Sequence, residues 1–236
     1  FIINILSHSI ANSNSNLNSS DKTVLDDAIR NYILDNPEII RDAIILLQER
    51  DEIALIKQQR KQIELLEKEL LYPENKTIIG NPDGKLIITE FFDYNCGYCK
   101  IMFSRINNII KKNEKIKVVL IELPILGEKS TFASKVALAS LKQDKYSEFH
   151  QDLISFKGTL DTDTIFSIAK NNKMNINKLK IDMQDPKIEE LIEKNKLIAK
   201  TLKITGTPAI IIDNQLFPGA IDEEELNNLL IELEKN

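Results

Sequence analysis

The 236-residue chain has no tryptophan, two histidines and two cysteines. It also lacks a basic excess: 31 Lys and Arg stand against 36 Asp and Glu, a formal net charge of −5. A nucleic-acid binder would carry a clustered positive excess, so that class is set aside. No apolar run approaches the ~20 residues that span a bilayer as a helix. A structural zinc site takes four ligands. Here the histidines are His8 and His150 and there is no second cysteine pair, so that reading is poor. What is present is apolar material, 42% of residues, which is enough for a real core. The length suits one or two domains.

Both cysteines fall in one stretch, Phe91-Phe92-Asp93-Tyr94-Asn95-Cys96-Gly97-Tyr98-Cys99-Lys100. An apolar, strand-like run (residues 86–92) precedes the pair and a helix-like run (residues 101–110) follows it. A Cys-x-x-Cys between strand and helix reads as a redox motif. The reason is local. Amides at a helix N-terminus point at the first sulfur, and the helix dipole favours negative charge there. A thiol so placed ionises more readily than a free one. The second thiol sits one turn inside the helix, within reach of a disulfide. Two inert buried cysteines or a plain structural disulfide are the competing readings. The strand–helix context opposes the first, and a loop this short stabilises little.

The chain opens on Phe1, and residues 1–11 read as the remnant of a signal peptide, with Ser9-Ile10-Ala11 as a small-x-small cleavage site. Residues 12–22 are Asn/Ser-rich and read as a disordered tether. Residues 23–74 read as a helical oligomerisation segment. Its first helix covers residues 21–34. Asn36-Pro37-Glu38 then looks like a helix start, with a capping Asn, Pro at the first position and an acid in the first turn. Residues 37–71 follow with no later Gly or Pro, roughly 52 Å if wholly helical. Ile39, Ala43, Leu46, Ile53, Ile56, Ile63, Leu66 and Leu70 recur at threes and fours. Such a stripe must be buried, either on the chain's own domain or against a second copy. Two short helices make a small core alone, which favours a homo-oligomer through residues 23–71.

Residues 75–236 read as the redox domain. Strands are expected at residues 77–79, 86–92, 115–123, 209–212 and 215–217. Helices are expected at residues 130–141, 146–156, 162–171, 176–181, 186–202 and 222–233. The order of strand, cysteine pair, helix, strand, helices, hairpin and helix is α/β and thioredoxin-like. Residues 123 and 205 lie 82 positions apart, too far for one crossover helix. A helical subdomain is therefore inserted at about residues 128–203. His150 reads as a helix surface residue.

The cysteine stretch, Thr207-Pro208 before the hairpin, and Phe217-Pro218-Gly219-Ala220 together resemble the DsbA-type branch of the thioredoxin superfamily. The helical extension with its Asn-Pro-Glu start resembles the ScsC-like members, whose extensions mediate oligomerisation. The resemblance implies a protein thiol:disulfide oxidoreductase without a cofactor or metal. It implies Cys96 as the attacking sulfur, Cys99 as the resolving one, and Pro208 as a cis proline. The residue before it, Thr207, would receive the client chain and could hydrogen-bond a thiolate. Glu90, six residues before Cys96, matches a buried glutamate that relays a proton toward Cys99. One departure is informative. The strong oxidant of the family has Pro-His between its cysteines, whereas this chain has Gly97-Tyr98 and no cation there. A less oxidising site follows, closer to the oligomeric disulfide isomerase branch. The expected setting is the periplasm, with cysteine-containing exported proteins as clients and a membrane redox partner that resets the pair. The alternatives are a DsbA-type oxidase and, from another class, a chaperone-like or metal-handling module without redox turnover.

Overall fold

The computed structural model describes residues 19–74 and 76–235. Residues 1–11, read above as a signal-peptide remnant, and most of the tether lie outside them. The chain divides into two compact units, residues 1–54 and 55–236.

In the first unit, α1 (Ser19–Asp35) starts inside the stretch expected as tether, so residues 19–22 are helical. The Asn36 side chain closes α1: its Nδ2 donates to Tyr32 O at 2.9 Å. Helix α2 (Glu38–Leu65) belongs to the first unit up to Ala54 and to the second from Leu55. The periodic residues Ile39, Leu46, Ile53 and Ile56 are exposed, whereas Ile63 is buried.

The expected 35-residue helix is broken. At Leu66 the backbone leaves helical geometry (φ −105°, ψ 15°), and a short α3 (Glu67–Leu71) follows. The break lets Leu70 turn fully into the core beneath the sheet. It also places Leu70 O where Thr89 Oγ1 donates to it at 2.7 Å. Gln59 Nε2 donates to Leu202 O at 3.0 Å. The end of the helical segment is thus part of the redox unit rather than of a separate module.

The sheet holds β1 (Ile78–Gly80), β2 (Leu86–Phe92), β3 (Ile116–Glu122), β4 (Ala209–Ile212) and β5 (Gln215–Pro218), in the order β1-β3-β2-β4-β5. Only the β2–β3 pair is parallel. Side chains alternate between faces along each strand. On β2, Phe91 faces a core completed by Ile63, Leu70, Ile198 and Leu202. Ile88 and Phe92 face the opposite core. That second core is filled from α4 (Gly97–Ile110), α5 (Glu128–Ser140), α6 (Tyr146–Ser155), α7 (Thr162–Asn171), α8 (Ile176–Asp182), the start of α9 (Pro186–Thr201) and α10 (Glu223–Lys235). Helices α5 to α9 are the expected insertion. Asp161, Asn175 and Asp185 cap α7, α8 and α9, each accepting a backbone N–H, which is why these helices start where they do. The fold is a thioredoxin-like α/β domain with an inserted helical subdomain and helices ahead of it.

Candidate active site

Topology brings Cys96, Cys99, Thr207 and Pro208 to one edge of the sheet, with Glu90 further back along β2. Because β2 and β3 are parallel, the loops that leave them emerge together, where open α/β sheets place their chemistry. Strand β4 runs antiparallel to β2, with Ala209 opposite Phe91. The residue just before Ala209 therefore arrives at the edge where β2 ends. That residue is Pro208, and the Thr207–Pro208 peptide bond is cis.

Cys96 is the N-cap of α4, with Gly97 the first helical residue. Its Sγ donates to Thr207 O at 3.2 Å. The contact of Thr207 with the protonated sulfur thus runs through its carbonyl. Cys96 and Cys99 are free thiols, one capping α4 and the other inside its first turn. They are not equivalent: Cys96 keeps 8% of its surface exposed and Cys99 none. Burial, reinforced by the Glu90 carboxylate, pushes the Cys99 thiol well up. Gly97 has open space around it, since an added Cβ would meet no atom within 4 Å. Tyr98 stands out into solvent. Lys100, the next cation along, donates Nζ to Phe156 O at 2.7 Å, away from the sulfurs.

Glu90 lies in the middle of β2, opposite Leu120 on one side and Ile210 on the other. It is buried, and burial pushes its pKa up to about 8. Glu90 and Cys99 thus share one interior and oppose each other's ionisation.

A second buried carboxylate was not foreseen. Glu122 ends β3, opposite Phe92. Its Oε1 accepts from Tyr94 and Tyr146 hydroxyls at 3.0 Å each, and its Oε2 from Ser134 Oγ at 2.7 Å. Burial raises its pKa to about 8 even so, with these donors pulling the other way. Tyr94 Oη also meets His150 Nδ1 at 3.0 Å. His150 is therefore not a helix surface residue: it is 1% exposed, edge-on to Phe92 and stacked on Tyr146. Burial lowers its pKa to about 3, so the ring is neutral. Its Nε2 is the one buried side-chain polar atom without a partner among the described residues. The signal was in the sequence. Tyr146, His150 and Leu153 recur at helical spacing, which puts the histidine on the apolar face of α6.

Asp93 was overlooked as well. It is fully buried, and its carboxylate accepts three backbone amides, those of Asn95 at 2.8 Å, Ile125 at 2.9 Å and Leu126 at 3.0 Å.

A Cys-x-x-Cys at a helix start, facing a cis proline on a thioredoxin-like sheet, defines a thiol:disulfide oxidoreductase. Residues 87–230 match the profile of the DSBA-like thioredoxin domain, and the chain belongs to that family. Residues 21–54 match the copper resistance protein ScsC N-terminal domain. The chain is 26% identical to the probable disulfide bond formation protein D of Bacillus cereus, over 58% of this chain and 70% of that protein. Among solved structures it is similar to the thiol-disulfide exchange protein alpha-DsbA2 of Wolbachia pipientis, with 32% identity and a TM-score of 0.70 over 76% of this chain and 98% of that one. Proteus mirabilis ScsC in a transitional conformation is 30% identical, with a TM-score of 0.69, over 93% and 100% of the respective chains. Among the described residues no helix is long and apolar enough to cross a membrane.

Proposed function

We propose that this oxidoreductase rearranges and reduces the disulfides of exported proteins in the periplasm, working as a homo-oligomer. Cys96 as thiolate attacks one sulfur of a client disulfide. A mixed disulfide forms and one client thiolate leaves. A second client thiol then displaces Cys96 and closes a different disulfide, with no net transfer of electrons. Where that stalls, Cys99 attacks Cys96 instead. The enzyme is left oxidised, the client reduced, and a membrane redox partner must return two electrons to the pair. Cys99 is fully buried, so its proton leaves through the interior, and the electrostatic coupling of Cys99 to the buried Glu90 supports that carboxylate as the acceptor. Thr207 and Pro208 receive the client strand beside Cys96. Exchange of this kind belongs in an exported compartment, where disulfides persist.

The observation that carries the isomerase reading is the uncovered apolar stripe of α2. Ile39, Leu46 and Ile53 are each more than a third exposed, Ile53 by 67%. A second copy of the chain would cover that stripe and set two or more redox sites around one client. The Gly97-Tyr98 dipeptide, without a cation, agrees with a site that does not drive oxidation strongly. The oxidase reading is favoured by one fact, the name of the Bacillus relative. Reactivation of scrambled ribonuclease, set against oxidation of the reduced protein, separates the two. Scrambled substrate should regain activity faster than reduced substrate does, and the reverse order would give the oxidase. Leu46→Glu with Ile53→Glu should reduce the light-scattering mass to that of one chain and remove reactivation while insulin reduction persists. An unchanged mass would refute assembly through this stripe.

A further inference from the structure

We infer that Asp93 is a positioning residue that fixes the apolar loop after β3 beside Cys96, and so sets how tightly an extended, cysteine-containing polypeptide docks. The inference deepens the client reading above and rests on it.

Three observations converge. First, one buried carboxylate joins two loops. Oδ1 takes the amide of Asn95, one residue before the attacking cysteine, and Oδ2 takes the amides of Ile125 and Leu126. The Asp93 carbonyl accepts from the Cys96 amide at 3.0 Å as well. Second, the two loops are stitched again. Asn95 Nδ2 donates to Ser130 Oγ at 2.9 Å, just inside α5, the helix that this loop feeds. Third, the loop is held from within while its side chains point out. Ile125 is 44% and Leu126 54% exposed, although their amides bond to a residue with no exposed surface. Leaving two large apolar side chains in water carries a hydrophobic cost, and a client segment that covers them recovers it. The loop stands at the same sheet edge as Cys96 and Thr207, so the segment it meets is the one next to the reacting cysteine. An apolar client side chain there is what the surface fits.

Only an acceptor can satisfy three amides. Asparagine preserves the volume of Asp93 but has one acceptor oxygen, so whichever way its amide turns, its NH2 faces either the Asn95 amide or those of Ile125 and Leu126. Asp93→Asn should therefore fail to rescue, and should behave like Asp93→Ala.

The test uses the full chain, glutathione as the reductant that returns two electrons to the Cys96–Cys99 pair, and a peptide with one disulfide flanked by leucines. Losing a charge-assisted buried bond shifts an equilibrium about tenfold. Asp93→Asn and Asp93→Ala should raise KM about tenfold with kcat far less affected, and should speed hydrogen exchange at the Ile125 and Leu126 amides. The double variant Ile125→Ser, Leu126→Ser keeps Asp93 and its bonds, and should reproduce the KM rise. A fall in kcat at constant KM, exchange at the two amides as slow as in the wild type, or a double variant with wild-type KM would each overturn the inference. If wild type does not turn over the peptide, the client reading fails. The amide exchange then decides alone whether Asp93 holds the loop.

Discussion

Cys96→Ser should bring disulfide exchange down to the uncatalysed rate, while Cys99→Ser should keep the attack on the client and lose the resolving attack on Cys96. The asymmetry follows from exposure. Cys96 has 8% of its surface in water and already touches Thr207 O, whereas Cys99 has none. A client sulfur can reach only the first. With Cys99 replaced, the mixed disulfide has no internal attacker and should accumulate as a covalent adduct. Mass spectrometry of each variant after incubation with a disulfide-bonded protein reads this directly. Adducts on Cys99 in the Cys96→Ser protein, or equal adduct from both variants, would reverse the assignment of roles.

The second large effect is on stability against pH. Glu90 and Glu122 are carboxyls whose folded pKa is raised from about 4.5 to about 8 by burial. Such groups favour the folded state while protonated in it. Their contribution is complete below the unfolded value and is lost as pH climbs through the folded one. His150 behaves in the opposite sense. Its folded pKa is depressed from 6.5 to about 3, so its contribution is present above 6.5 and lost as pH falls toward 3. Between pH 4.5 and 6.5 the two carboxyls outweigh the single imidazole, so over these three groups stability falls from about pH 4.5 to about 8. From pH 5.5 to 8.5 the loss from Glu90 alone is roughly 3 kcal/mol. For a chain of this size that is a fall in Tm of roughly 10 °C. Thermal melts of the reduced protein should show the fall, and Glu90→Gln should flatten it. A Tm that rises over this interval, or a slope that Glu90→Gln leaves alone, would refute the argument.

Much of this molecule is readable from its residues, for reasons that differ by element. Strand β2 (Leu86–Phe92) and helix α7 (Thr162–Asn171) fall where the pattern puts them. One is a largely apolar, β-branched and aromatic run closed by a turn, and the other has an Asp cap. The cysteine pair is legible because it is unrepeated. The break at Leu66 is not, because propensity favours continued helix there and the gain lies in burying Leu70 on a strand 19 residues away from Thr89's partner. Glu122 hides because it closes a largely apolar strand, where nothing local announces three hydroxyl donors contributed by other segments. Asp93 hides for a similar reason. Beside two cysteines it reads as a turn residue, and its meaning depends on amides more than 30 positions away.

The space around Gly97 carries a consequence for how such proteins diverge. Neither packing nor a left-handed backbone demands glycine there. The position sits between the two sulfurs, yet the scaffold makes no claim on it. A single codon change can therefore alter the side chain between the two sulfurs while every strand and helix stays put.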